Sequence, residues 1–298
     1  MRIAITGATG LIGRALSAFL REDGHHVTRL SRRPSLGSDL SVWDPDTGVA
    51  ESVEDAEAVV HLAGENIAGG RWTPDRKQRI LDSRVVGTKR LCESLAALSS
   101  PPPTLITASA IGFYGDRGNE IVDESSPPGQ GFLPEVCQAW EAATAPAHDR
   151  GIRTVHLRIG IVLTPNGGAL QKMLLPFKLG AGGILGSGSQ YMPWVALDDV
   201  LNATLHVLTN DQVTGPVNAV APGIVTNRDF TKTLGRVLRR PTLIPTPGFV
   251  IRLAFGEMAD ALLLSGARVV PTRLAESGFE FGYPALENAL RHVLERAT

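Results

Sequence analysis

The chain has 298 residues, 43% of them hydrophobic and 20% charged, with a formal net charge of −1. These values fit a globular protein long enough for a nucleotide-binding core with a smaller lobe, and the near-zero charge excludes a basic nucleic-acid footprint. Cys92 and Cys137 are too few for a disulfide framework and lack metal-ligand spacing, and no run approaches the ~18 apolar residues of a membrane span.

Met1-Arg2-Ile3-Ala4-Ile5 leads straight into a glycine turn and not into a cleavage-type segment, so a cytoplasmic location is expected. Ile3 to Thr6 reads as a short apolar strand. Leu11 to Asp23 reads as a helix stopped by Gly24. Strands are expected at His26 to Leu30, Glu57 to Leu62, Thr104 to Ala108 and Arg153 to Leu157. Long helices are expected at Thr73 to Leu98, opened by Thr73-Pro74-Asp75, and at Leu133 to Asp149. This alternation implies an α/β fold: a Rossmann-type, doubly wound parallel sheet covered on both faces. Beyond about residue 160 the rhythm weakens. Gly167-Gly168, Gly180 to Gly183 and Gly186-Ser187-Gly188 read as loops. Asp198 to Leu208 reads as a helix and Val217 to Val220 as a late strand. The chain from Thr226 onward reads as mostly helical. The division expected is a core over 1–165, with later segments returning to the sheet, and a smaller, mostly helical C-terminal substrate lobe over 166–298.

Gly7, Gly10 and Gly13 form G-x-x-G-x-x-G after a strand and at the start of a helix. That context turns a weak pattern into a dinucleotide site. Gly7 allows a tight turn, Gly10 a close approach to the pyrophosphate, and Gly13 close packing of helix on sheet. Free N–H groups at the helix start then meet the phosphate charge. The cofactor contacts expected here are Thr6, Gly7, Thr9, Gly10, Leu11, Ile12 and Gly13. After the second strand come Ser31-Arg32-Arg33, where an NAD site usually places an acid. A carboxylate repels a 2′-phosphate, whereas arginine pairs with it through two parallel hydrogen bonds. The cofactor expected is therefore NADP(H), held at Ser31, Arg32 and Arg33. Leu62, Ala63 and Gly64 end the third strand and are expected near the adenosine half. His61 before them reads as a packing residue.

Thr6 to Gly13, Val60-His61-Leu62-Ala63-Gly64, Thr107-Ala108-Ser109-Ala110 before Phe113-Tyr114-Gly115, and Trp194-Val195 with Asp198-Asp199 together resemble the extended short-chain dehydrogenase/reductase superfamily. Gly64-Glu65-Asn66-Ile67, Asp82-Ser83-Arg84-Val85 with Gly87-Thr88, and Phe132-Leu133 with Glu135-Val136-Cys137 and Trp140-Glu141 narrow the resemblance to an atypical epimerase-family branch with a C-terminal helical module. It covers essentially the whole chain. It implies cofactor contacts at Ala108 and, near the nicotinamide edge, at Arg158.

The usual chemistry of that superfamily uses a Tyr whose pKa is lowered by a Lys four residues later, with a Ser holding the substrate oxygen. Ser109 is the candidate Ser. The Tyr-Lys pair is absent. Tyr114, Tyr191 and Tyr283 are followed four residues on by Gly118, Val195 and Glu287. Aligning the helix by Glu141 puts Leu133 and Cys137 in the pair's places. A lone Tyr with a pKa near ~10 is a poor base at neutral pH. Tyr114 and Glu135 are the candidate replacements, each with a packing or surface role as its alternative. Cys137 reads as packing. Arg84 is a candidate cofactor contact, expected to orient a phosphate or carboxylate, or else to form a surface salt bridge. Trp194 is expected at the pocket wall or in the core.

The implied activity is an NADP(H)-dependent oxidoreductase or epimerase-like enzyme acting on a small carbonyl or sugar-type substrate. The alternative is a non-catalytic NADP(H)-binding sensor or scaffold. The long helices are candidates for pairing in a homodimer.

Overall fold

The first strand, β1 (Arg2–Thr6), buries Ile3, Ala4, Ile5 and Thr6 in succession, a run that needs cover on both faces. In this computed structural model, which describes residues 1–31, 40–43, 53 and 55–295, that cover comes from helices. Gly7 turns the chain into α1 (Leu11–Glu22), whose Leu16 and Leu20 enter the core. β2 (His26–Ser31), β3 (Leu40–Val42) and β4 (Ala58–His61) follow. α2 (Pro74–Ala96) starts at Thr73, whose hydroxyl accepts the Arg76 N–H. Then come β5 (Thr104–Ala110), β6 (Ile121–Val122), α3 (Phe132–Ala142), α4 (Ala145–Asp149) and β7 (Arg153–Ile159). β8 (Ile161–Leu163), α5 (Gly168–Lys178), β9 (Trp194–Ala196), α6 (Leu197–Thr209) and β10 (Gly215–Ala219) lead into the C-terminal part. That part holds α7 (Asn227–Leu238), α8 (Gly248–Phe255), α9 (Glu257–Ala259), β11 (Arg268–Val269), α10 (Thr272–Glu276) and α11 (Leu286–Glu295).

Among the described residues, seven strands form one parallel sheet in the order β10-β7-β5-β4-β1-β2-β3. From β1 the chain winds outward through β2 and β3. It then returns past β1 and winds the other way. This reversal opens a crevice at the C-terminal ends of β1 and β4, the place where doubly wound sheets bind ligands. The doubly wound sheet and the mostly helical C-terminal part are the architecture that the strand-helix alternation implied.

Two local features differ from the sequence reading. The expected helix over Leu133 to Asp149 is two helices, because Pro146 lacks the N–H that would continue the first. α5 fills a stretch to which the sequence reading assigns no helix, between glycine clusters that read as loops and with Pro176 inside it. Trp194 takes the core alternative of its two expected places, in the second half beside Phe230 and Leu286, and its indole N–H donates to the Gly223 carbonyl at 2.8 Å.

The C-terminal part is tied down by one buried carboxylate. Asp199 of α6 accepts the Gly282 N–H at 2.8 Å and the Tyr283 N–H at 3.1 Å. Neighbouring Asp198 pairs with His292 of α11, whose ring stacks on Tyr283. Asp199→Ala leaves two backbone donors without acceptors, each costing about 1–3 kcal/mol. The expected outcome in urea unfolding is a loss of about 2–4 kcal/mol. An unchanged midpoint contradicts this tether.

Candidate functional site

The crevice begins at the glycine turn. Gly7 has φ +66°, and a Cβ there would stand 2.6 Å from the Leu62 carbonyl carbon. A Cβ on Gly13 would stand 2.3 Å from the Gly7 oxygen. Only glycine lets this turn lie flush on Leu62-Ala63 and lets α1 start immediately behind it. No side chain caps the start of α1, and its first turn carries no acid. Its leading N–H groups are thus left for an anion, as a dinucleotide's diphosphate requires. Thr9 and Gly10 are exposed at the lip, with Leu11 and Ile12 half-buried behind. Ser31 ends β2, and its carbonyl accepts the Trp43 N–H. Arg32 and Arg33 lie outside the described residues.

A polar row holds the floor of this crevice in register. Thr6, His61, Thr107 and His156 stand side by side on β1, β4, β5 and β7. The Thr6 hydroxyl meets His61 Nδ1 at 2.6 Å and also accepts the Leu62 N–H. His61 Nε2 meets the Thr88 hydroxyl at 3.0 Å, and Thr88 accepts the Trp140 indole N–H at 2.9 Å. Burial pushes the His61 pKa down to about 4. His61 is therefore a neutral strut joining β1, β4, α2 and α3. Thr6 serves the same strut and does not reach outward.

Two residues further along the same strands lies the second row. Ser109 of β5, Arg158 of β7 and Asn218 of β10 are register partners. Glu141 of α3 closes over them. Ser109 Oγ donates to Glu141 Oε1 at 2.7 Å. Arg158 grips both oxygens of the same carboxylate, Nε to Oε1 and Nη2 to Oε2, each at 2.8 Å. Its remaining Nη1 donates to the Tyr114 hydroxyl at 3.0 Å, and Tyr114 donates on to Asn218 Oδ1 at 2.8 Å. The Asn218 N–H donates to Glu124. Burial works against the Arg158 charge, but the Glu141 contacts hold its pKa above the ordinary arginine value.

These contacts sort the candidate residues. Ser109 has a hydroxyl whose own proton goes to Glu141, so its oxygen is left able to accept one more. Arg158 is 3% exposed and its donors point at Glu141 and Tyr114, a geometry for holding the cluster together. Tyr114 is fully buried, and burial raises its pKa. Glu135 is exposed in the first turn of α3. Cys137 is buried, and burial pushes its thiol up to about 12, which leaves no thiolate to act as nucleophile. Ala108 is half-buried at the end of β5. Glu141 is the residue that sequence reasoning used only as a marker. Its signal was available: Leu133, Cys137 and Glu141 recur at four-residue spacing, on one helix face.

The wall opposite is apolar. Leu133 stands where the superfamily's Tyr would be, against the turn at Gly112. It packs with Ile67, Phe132, Met258 and Leu262 around buried Trp72. The loop before α2 is held across the crevice by Lys172 of α5, which donates to the Ala68 carbonyl. Arg84 of α2 lies beside Gly64, over the Trp140 ring. Among the described residues, no group of three or more His, Cys, Asp or Glu could hold a metal ion.

The buried histidines make stability depend on pH. The unfolded chain takes up a proton on His61 near pH 6.5, whereas the folded protein takes it up only near pH 4. Burial lowers His156 in the same direction. The free energy of unfolding therefore falls as pH drops from 6.5 toward 4, by up to about 1.4 kcal/mol per pH unit for each such histidine. His61→Gln is expected to flatten this slope in urea titrations at pH 7, 6 and 5. Equal slopes for the two proteins contradict a neutral buried His61.

Comparison with known proteins agrees with this architecture. The family model described as "NAD dependent epimerase/dehydratase family" matches residues 3–220, and a domain of unknown function, DUF1731, matches residues 246–293. An epimerase family protein of Mycobacterium tuberculosis is 42% identical over 99% of this chain and 98% of its own length. The human epimerase family protein SDR39U1, solved with NADPH, superposes with a TM-score of 0.92 at 36% identity, covering 99% of both chains. A nucleoside-diphosphate sugar epimerase from Corynebacterium glutamicum superposes at 0.83 with 37% identity, covering 99% of this chain and 58% of that one. A UDP-glucose 4-epimerase from Thermotoga maritima, at 19% identity and 0.76, shares the fold. With its dinucleotide-type glycine turn, its doubly wound sheet and these full-length relatives, the chain belongs to the NAD dependent epimerase/dehydratase family, in the atypical epimerase-family branch that carries a DUF1731 module.

Proposed function

We propose that this protein is a cytoplasmic NADP(H)-dependent oxidoreductase that acts on a small carbonyl or sugar-type substrate, with Ser109 holding the reacting oxygen and Glu141 exchanging its proton. The observation that carries the reading is the Ser109–Glu141 hydrogen bond, fixed by Arg158 from the neighbouring strand. The cofactor half rests on the glycine turn, where any Cβ at Gly7 or Gly13 would collide with backbone, and on the NADPH carried by the human relative. Gly7, Thr9, Gly10, Leu11, Ile12 and Gly13 then bind the diphosphate. Ser31, Arg32 and Arg33 bind the 2′-phosphate. Leu62, Ala63 and Gly64 follow the adenosine half, and Ala108 underlies the nicotinamide. The division into a core over 1–165 and a substrate lobe over 166–298 serves this reading, with β10 returning to the sheet from the second part.

A bound nicotinamide supplies hydride exchange, and the chain's task is to move a proton at the substrate oxygen. A substrate hydroxyl can donate to Ser109 Oγ while the Ser109 proton passes to Glu141. The reverse movement returns it. Arg158 keeps Glu141 in one orientation, so that Ser109 is aimed before substrate arrives. Tyr114 steadies Arg158 from behind and is a positioning residue. The second reading, a non-catalytic NADP(H) sensor or scaffold, is favoured by Leu133 and Cys137 in the places of the Tyr-Lys pair. It expects NADPH binding, no turnover across carbonyl substrates, and a partner whose affinity depends on the redox state of the nucleotide.

Three variants test the enzyme reading. Arg32→Ala weakens NADPH binding by about tenfold or more while sparing NADH, measured by nicotinamide fluorescence. Ser109→Ala and Glu141→Gln each lower turnover by about 10²–10⁴-fold with NADPH affinity kept. Full turnover in either variant rules out the assigned proton path. Absence of turnover in the unaltered protein, with NADPH bound, favours the sensor.

A further inference from the structure

The C-terminal part turns an apolar face to water. Among the described residues eleven large hydrophobic side chains are exposed, and eight of them come from two segments, α5 with the residue after it and the stretch from Leu243 to Phe255. Leu243 is 84% exposed on a loop bounded by Pro241 and Pro245. On α8 Ile251 faces inward, while Phe249, Val250 and Leu253 are exposed. A surface helix ordinarily keeps its polar face for solvent. The two segments lie side by side. The Thr246 N–H donates to the Ile184 carbonyl at 2.8 Å, and a Cβ on Gly183 would stand 1.7 Å from the Ile244 oxygen. Single exposed apolar residues are ordinary, but a group of this kind marks a contact surface.

The charge around the patch says what it meets. Residues 230–256 carry Lys232, Arg236, Arg239, Arg240 and Arg252 and no acid. Residues 165–185 carry Lys172 and Lys178 and no acid, in a chain whose net charge is −1. Arg236 and Arg252 are paired with Glu287 and Asp260. Lys178, Arg239 and Arg240 are exposed, and among the described residues no carboxylate pairs with them. Arg239-Arg240 leads directly into the Pro241 loop, and Lys178 stands next to exposed Leu179. The occupant is therefore anionic. A second copy does not fit, because a two-fold interface lays the patch on itself and sets these cations against their own copies. Exposed apolar side chains with a basic collar fit a lipid headgroup layer, where the apolar groups enter and the cations meet anionic headgroups. Among the described residues no helix is long and apolar enough to cross a membrane, so the contact is with the bilayer surface.

We propose that this face docks on an anionic bilayer, with Leu243, Ile244, Phe249 and Leu253 in the headgroup layer and Lys178, Arg239 and Arg240 on its phosphates and carboxylates. Arg71 ties α8 to the loop before α2, since its guanidinium donates to the Leu253 and Ala254 carbonyls. Docking thus brings the mouth of the crevice to the membrane. It requires neither cofactor nor turnover, so its test is separate from that of the proposed reaction.

The test mixes the full-length protein with vesicles of phosphatidylcholine alone and of phosphatidylcholine with about 30% phosphatidylserine. Sedimentation of the vesicles gives the bound fraction. The expected result is about tenfold or more tighter binding to the anionic vesicles, lost at about 0.5 M salt. Leu243→Ser with Ile244→Ser, and Lys178→Gln with Arg240→Gln, each lower that binding about tenfold or more. All four side chains are exposed, so the unfolding midpoint is expected to stay unchanged. Leu243→Trp puts an indole on the loop, whereas the four native tryptophans are buried. Bromine-labelled lipid in anionic vesicles is expected to quench the added fluorescence and spare the native signal. Equal binding to both vesicles overturns the proposal, as does anionic binding that survives both double variants, or an unquenched Leu243→Trp protein. Absence of binding to either vesicle also overturns it and leaves an acidic protein surface as the occupant. A stable dimer in solution that Leu243→Ser with Ile244→Ser dissolves overturns it in favour of a second copy.

Discussion

The buried ion pair between Glu141 and Arg158 is the contact on which the polar cluster at the C-terminal edge of the sheet depends. It joins α3 to β7 through two hydrogen bonds at 2.8 Å. Ser109 leans on its carboxylate side, and Tyr114, Asn218 and Glu124 follow on its guanidinium side. A buried pair of this kind adds little net stability over an apolar substitute, but losing one partner strands a charge and costs about 3–5 kcal/mol. Its value here is orientation. Ser109 cannot turn without leaving Glu141, and Glu141 cannot turn without leaving Arg158.

Two halves of the site thus rest on different physics. The cofactor half is made of backbone: glycines that permit contact at Leu62, and helix amides left without a cap. The proposed reacting half is made of side chains from three parallel strands and one helix, aligned by strand register. The backbone half follows the general pattern of dinucleotide sites. The side-chain half is where this chain departs from the superfamily's usual pattern, with Leu133 and Cys137 in place of Tyr and Lys, and with a carboxylate one helical turn further on.

How much of this was legible in the sequence differs between the halves for the same reason. The glycine turn, the alternation of strands and helices and the absent Tyr-Lys pair are local patterns, readable at fixed spacing. The Glu141–Arg158–Ser109 cluster is not local. It appears only when β5 and β7 are placed side by side with Ser109 opposite Arg158. The hint lay in β7, where His156 and Arg158 interrupt a strand buried on both faces, which demands polar partners. Glu141 had its helical spacing from Leu133 and Cys137 as a further hint. Tyr114 read as a candidate catalyst because a buried, fully bonded hydroxyl and an open one look alike in sequence. The helix α5 was hidden by Pro176 and flanking glycines, and the break at Pro146 was understated by a continuous apolar pattern.

The most direct test of the account is a crystal structure of the complex with NADPH. The account predicts the diphosphate on the α1 turn, the 2′-phosphate on Arg32, and the nicotinamide C4 facing the Ser109 hydroxyl, with Ser109 still bonded to Glu141. A dinucleotide bound with its nicotinamide turned away from Ser109 contradicts the account, as does a Ser109–Glu141 pair sealed off from the cofactor.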